Sequence, residues 1–263
     1  GSEMCIRDRC LTLLPATAQA AEEDTHTHCL CGKTHTAIGD HQTEQEVTFA
    51  TELKMENGKL MKGGREWIKS MVNRADGGRE QRGYVLSQGE YYLYGDITLS
   101  DAAILINGDV KLCLNGHTID RANKTGGIDY VIWVLGNDKA HLTLTDCVGG
   151  GTIKGGGNGG VDIFGFCTLD MFGGTITGNT TTQRGGGVCV TGTNSKFNMY
   201  GGTITDNTAT KGGGGVYVVD GTFTMNDNAS ITGNTATSTD GGVGVYTTST
   251  TATFTMNGGT ISG

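Results

Sequence analysis

The sequence predicts an all-β chain wound as a right-handed parallel solenoid of about six coils, with a small N-terminal cap that contains a short helix. Three observations carry that reading. The first is a repeated block: Met171-Phe-Gly-Gly-Thr-Ile-Thr-Gly-Asn179 is matched by Met199-Tyr-Gly-Gly-Thr-Ile-Thr-Asp-Asn207, by Met225 to Asn234 and by Met256-Asn-Gly-Gly-Thr-Ile261. Self-similarity at a spacing of 26 to 31 residues is the signature of a stacked-repeat architecture, in which no unit can bury its own apolar face. The second is alternation within each block, which sends successive side chains to opposite faces of a strand. The third is composition: 46 glycines and one proline in 263 residues suit a chain that turns several times per coil and needs its N–H groups for ladders.

Taken in order, residues 1–9 read as translated sequencing-adapter sequence. Cys10 to Ala20 reads as the end of a signal peptide, with Ala18-Gln19-Ala20 as its small-residue cleavage site. Residues 21–50 form a His- and Cys-containing segment. Residues 51–90 hold the cap, where Arg65-Glu-Trp-Ile-Lys-Ser-Met-Val72 puts Trp67, Ile68, Met71 and Val72 on one face of a short helix. A solenoid needs such a cover over its first open edge. Residues 91–263 are the coils, starting from the alternation of Tyr91, Leu93, Ile97 and Leu99 and truncated at the C-terminal end.

Three inward columns follow from the alternation. One holds Leu112, Leu142, Leu169, Phe197, Phe223 and Phe254; the next holds Leu114, Leu144, Met171, Met199, Met225 and Met256; the third holds Ile119, Ile153, Ile176, Ile204, Ile231 and Ile261. Between the blocks, Gly185-Gly-Gly-Val-Cys-Val190, Gly213-Gly-Gly-Val-Tyr-Val218 and Gly241-Gly-Val-Gly-Val245 supply a further short strand per coil. Asn179, Asn207 and Asn234 recur at one corner, where stacked amides can bond from coil to coil and asparagine tolerates left-handed backbone. Right-handed winding is expected because parallel crossovers take that hand.

Chemistry-bearing residues are sparse. His26, His28, Cys29, Cys31 and His35 form the densest metal-type cluster, with His41 beyond; imidazole and thiolate suit Zn²⁺ or Cu⁺, although the spacing is not that of a zinc finger and a disulfide or an unliganded tail explains the same residues. Cys113, Cys147, Cys167 and Cys189 read as small half-buried residues. Every Glu lies at or before residue 90, and past residue 125 nine Asp, four Lys and Arg184 are scattered among strand and turn positions; Asp162 and Asp170 could approach in neighbouring strands, but a solvated strand face is the simpler reading of both. No convergent acid–base set is visible for catalysis. A net charge of −8 leaves no cationic excess for nucleic acid, and no segment has the roughly 20 apolar residues of a membrane span. Outward positions instead carry Asn198, Tyr200, Tyr217, Thr203 and Thr205, a neutral surface of amides, hydroxyls and aromatic rings suited to sugars. Threonine is also a good solvent-facing strand residue and needs no ligand to explain it.

Leu112-Cys-Leu-Asn-Gly-His-Thr-Ile119, the Gly-Gly-Thr-Ile-Thr blocks, the Gly-Gly-Gly-Val-Tyr-Val run and the His-x-His-Cys-x-Cys-Gly lead together resemble exported right-handed parallel β-helix proteins of gut-type Gram-positive bacteria, within the pectin-lyase-like superfamily. The repeats are also similar to those of adhesin passenger domains. The resemblance implies the fold, which hosts lyases, hydrolases, adhesins and structural rods alike; the neutral outward surface and the lack of a convergent catalytic set make the expectation a secreted or cell-surface adhesin or glycan-binding rod without catalysis, with a glycan or host-surface partner. A polysaccharide lyase or glycoside hydrolase on the same scaffold is the alternative. Ice binding by the stacked Thr-Ile-Thr ranks is a third reading.

Overall fold

The computed structural model describes residues 26–29, 46–73, 80–124, 129–136, 139–239 and 241–263. The adapter-like and leader residues, Cys31, His35 and His41 lie outside them. The described chain is an all-β parallel solenoid with three faces and no helix among the described residues. Five turns are hydrogen-bonded to a coil on each side, and they lie between a first rung at Gln81–Leu86, Gly89–Leu93 and Ile97–Thr98 and a last rung at Val245–Thr247, Thr253–Met256 and Thr260–Ser262.

The first face stacks Gln81–Leu86, Ile104–Ile106, Ile132–Val134, Val161–Phe164, Val188–Thr191, Val216–Val219 and Val245–Thr247 in parallel. Its inward column, Ile104, Ile132, Val161, Val188, Val216 and Val245, is β-branched throughout, which suits a pleated surface buried on one side. The second face runs from Gly89–Leu93 through Asp109–Cys113, His141–Thr145 and Thr168–Met171 into the first halves of Lys196–Thr205 and Thr222–Thr232, then Thr253–Met256. The third face takes the second halves of those two long strands, with Thr118–Lys124, Thr152–Gly156 and Thr175–Thr177 beneath them.

The isoleucine column stands as expected, from Ile119 through Ile153, Ile176, Ile204 and Ile231 to Ile261, and Ile97 extends it to the first rung. Phe197, Phe223 and Phe254 are in register, as are Met171, Met199, Met225 and Met256. The lower end of both columns is displaced. Val110, not Leu112, lies beneath Leu142, and Leu112, not Leu114, lies beneath Leu144. A slip of two residues keeps every inward side chain inward, so alternation alone does not detect it.

The corners explain particular glycines. A Cβ on Gly187 would lie 2.6 Å from the Gly215 carbonyl oxygen and 2.6 Å from Ile204 Cγ2, so the coils can approach to ladder distance only without one. Gly202 combines a φ of +83° with a Cβ position 2.6 Å from Met171 Cε, the methyl group of the methionine column one coil below. Asn179, Asn207 and Asn234 form the expected buried ladder, each backbone N–H of the lower two donating to the Oδ1 of the asparagine above. Left-handed backbone sits one residue earlier, at Gly178, Asp206 and Gly233, leaving the asparagines in ordinary conformation.

The cap is built from strands. Thr51–Glu56 pairs in parallel with Gly89–Leu93, covering the open edge of the second face, and Lys59–Lys62 and Arg65–Glu66 extend it as antiparallel strands. Ser70–Val72 pairs antiparallel with Gln81–Leu86 and covers the first face. The helix expected over Arg65–Val72 is therefore absent: Trp67 and Val72 are buried while Ile68 and Met71 are exposed, at 73% and 52%. An eight-residue segment is too short to nucleate a helix by itself, and the bare edges of the first rung offer it backbone partners. Trp67 locks the arrangement, its indole N–H donating to the Val85 carbonyl at 3.2 Å.

Candidate functional site

The outward side of the second face carries a polar and aromatic grouping. Two columns of outward residues run along it. Asp109, His141, Thr168 and Lys196 stack in one, and Glu90, Lys111, Thr143, Asp170 and Asn198 in the other. Strand alternation makes all of them point away from the core, and the coil spacing of about 4.8 Å brings diagonal neighbours within reach.

One diagonal and three in-register pairs are in contact. His141 Nε2 lies 2.9 Å from Asp170 Oδ2, and its Nδ1 is 3.7 Å from Asp109 Oδ1. Asn198 Nδ2 donates to the other Asp170 oxygen at 2.7 Å, and Lys111 pairs with Glu90 at 3.2 Å. The hydrogen bond to Asp170 raises the His141 pKa above 6.5, with the Asp170 and Asp109 charges adding to it and burial and Lys111 opposing. At the edge of this row, Phe172 and Tyr200 stack with ring centroids 4.8 Å apart and planes 16° from parallel. Partial burial, and then the Asp170 charge, push the Tyr200 hydroxyl upward. Asp170 thus links the imidazole, the amide and the aromatic pair. The group offers fixed donors, fixed acceptors and apolar ring surface side by side.

A titration follows from His141. Because its folded pKa is raised, the stabilisation it contributes is fully present below 6.5 and is lost as pH rises through the folded value. The imidazole is 36% exposed, so the contribution is screened to below about 1 kcal/mol. The expected result is a wild-type melting temperature that declines across that window relative to His141→Gln, whose profile stays flat; parallel profiles would refute the pairing.

The expected ligand residues do not all meet here. Asn198 and Tyr200 belong to this site. Thr203 and Thr205 lie on the third face, in ranks formed by Thr175, Thr203, Ser230 and Thr260 and by Thr177, Thr205, Thr232 and Ser262. Tyr217 lies on the first face, 8% exposed, its hydroxyl 2.7 Å from Thr248 Oγ1 and its ring covered by the Arg184 guanidinium at 5.5 Å. Asp162 and Asp170 are also on different faces. Asp162 is buried on the first face, where its charge and burial raise the Tyr130 hydroxyl pKa, and where burial and then Asp162 raise the Cys189 thiol. Sequence reasoning missed Asp109, His141 and Asp170 as a group. Counting outward positions along successive rungs finds His141 and Asp170, whereas Asp109 falls beside His141 only in the observed register, two residues from the expected one.

At the N-terminal end, His26, His28 and Cys29 lie on strand His26–Cys29, antiparallel to Glu46–Phe49, whereas Cys31 and His35 lie outside the described residues. Among the described residues no three His, Cys, Asp or Glu side chains gather as a metal site. No helix among the described residues is long and apolar enough to cross a membrane. No protein-family model, curated protein or solved structure matches the chain.

Proposed function

We propose that this chain is an exported, cell-surface right-handed β-helix of the pectin-lyase-like kind, acting as an adhesin or glycan-binding rod without catalysis. The observation that carries the reading is the row His141, Asp170 and Asn198 beside the stacked Phe172 and Tyr200. Sugars present hydroxyls for fixed donors and acceptors and C–H faces for aromatic rings, and this row supplies both on a rigid sheet. Lys111 and His141 offset part of the charge of Glu90, Asp109 and Asp170, which favours neutral glycans over acidic ones.

A glycan array probed with the full chain tests it. Binding to a neutral glycan set should weaken about tenfold in Asn198→Ala and in Tyr200→Ala, the size of one interface anchor, with unchanged melting temperature. Undiminished binding by both variants would move the site elsewhere. A second reading rests on the imidazole held between two carboxylates, an arrangement that can carry a proton for a glycoside hydrolase or lyase. Release of reducing ends or unsaturated products that His141→Gln abolishes would replace the binding rod with an enzyme. Thermal hysteresis would instead assign the threonine ranks to ice.

A further inference from the structure

Two cysteines meet at the boundary between the second and third rungs, away from the aromatic and polar row. Cys113 ends strand Asp109–Cys113, and its in-register neighbour on the next coil is Thr145. Cys147 follows two residues later, at a corner held rigid by Asp146, whose two carboxylate oxygens accept the Gly116 and Gly151 N–H groups at 2.7 Å each. Thr145 Oγ1 is 3.6 Å from Cys147 Sγ. Thr145, in register with Cys113, thus brings the Cys147 sulfur to the same side of the sheet one coil above Cys113.

The two thiols are unequal. Cys113 is fully buried beside Phe49 and Tyr92, whereas Cys147 is exposed. The Cys147 side chain, helped by the backbone N–H groups of Cys147 and Asn115, outweighs burial and holds the Cys113 thiol below its usual 9.0. The other described cysteines differ. Burial pushes Cys167 up to about 11 and Cys189 well above 9.0, which makes both poor nucleophiles. The sequence therefore holds one buried, activated sulfur next to one that solvent can reach.

We infer that Cys113 and Cys147 are a reversible covalent clip between adjacent coils, closed by thiol–disulfide exchange with a small-molecule disulfide such as oxidised glutathione. In the first step the Cys147 thiolate attacks one sulfur of the glutathione disulfide, forming a mixed disulfide and releasing one reduced glutathione. In the second, the Cys113 thiolate attacks Cys147 Sγ and expels the second reduced glutathione. Two protons and two electrons leave the protein, and one disulfide is exchanged for another. The clip would tie the coil that ends at Cys113 to the coil above it, closing a loop over the 33 residues between them.

The full chain, reduced and then incubated with oxidised glutathione, tests this by peptide mapping under non-reducing conditions. The expected product is a Cys113–Cys147 linked peptide lighter by two hydrogens, with a melting temperature raised by roughly 5–10 °C and restored by reductant. Cys113→Ser should stop at a glutathione adduct on Cys147. Cys147→Ser, at an exposed position that leaves packing intact, should leave Cys113 a free thiol and show no rise in melting temperature. The inference is overturned if wild-type Cys147 retains its glutathione, if both thiols stay unmodified, or if Cys113 is recovered linked to a different cysteine.

Discussion

Replacing Asn207 with alanine is expected to lower the unfolding free energy by about 3–5 kcal/mol, because it strands several buried polar groups at once. The Asn207 Oδ1 accepts from the backbone N–H of Asn179 at 3.1 Å and from Asn179 Nδ2 at 3.0 Å. The two hydrogens on its Nδ2 are shared among the carbonyl oxygens of Ile176 and Thr205 at 2.9 Å each and Asn234 Oδ1 at 3.0 Å. Alanine leaves those carbonyls without this donor and the Asn179 N–H without its acceptor, in a corner from which water is excluded. Aspartate is no substitute, since it offers only acceptors to a site that needs both. Urea unfolding followed by circular dichroism measures the loss, and a cost below about 1 kcal/mol would mean that the corner holds without its ladder.

The second large effect is expected at Phe223. Its ring lies between Phe197, 4.8 Å away at 11°, and Phe254, 5.0 Å away at 15°, and it is fully buried. Phe223→Ala removes the middle of this stack and leaves a cavity that the rungs on either side cannot close without breaking register, at a cost of about 3–5 kcal/mol. Phe254→Ala should cost about half as much, because that residue is only partly buried on the last rung. Equal losses at both positions, measured by the same unfolding experiment, would contradict the difference in burial between the two rings.

The two predictions rest on features of unequal legibility. Met171, Met199, Met225 and Met256 could be aligned by eye because the repeat is regular there, and a column of identical residues has one natural registration. Below residue 145 the units lose their glycine blocks, and nothing in Leu112-Cys-Leu114 distinguishes two inward positions from each other, which is why that end slipped by two. The segment Arg65–Val72 shows apolar residues at helical spacing, yet strand pairing decides its structure: Arg65–Glu66 folds back on Lys59–Lys62, and Ser70–Val72 pairs with the first rung at Gln81–Leu86. The site was half readable. Asn198 and Tyr200 sit in a regular unit and their outward direction follows from alternation. Their partners Asp170 and His141 flank Leu169 and Leu142, where the expected and observed registers agree, so the in-register Asn198–Asp170 and diagonal His141–Asp170 contacts follow from the columns, whereas Asp109 falls beside His141 only in the displaced register below. Tyr217 shows the opposite failure: its direction was right, but the cover laid over it by Arg184 comes from a corner that alternation does not describe.

The in-register columns also bear on how such a chain can change its length over generations. Lys196 and Thr222 occupy the same place in successive coils, as do Phe197 and Phe223. Excising the 26 residues from Phe197 to Thr222 would join Lys196 directly to Phe223, and every downstream side chain would meet an equivalent neighbour one storey lower. Copying the same stretch would add a storey. Genetic recombination between units can therefore change the height of the stack in a single event while the architecture stays constant.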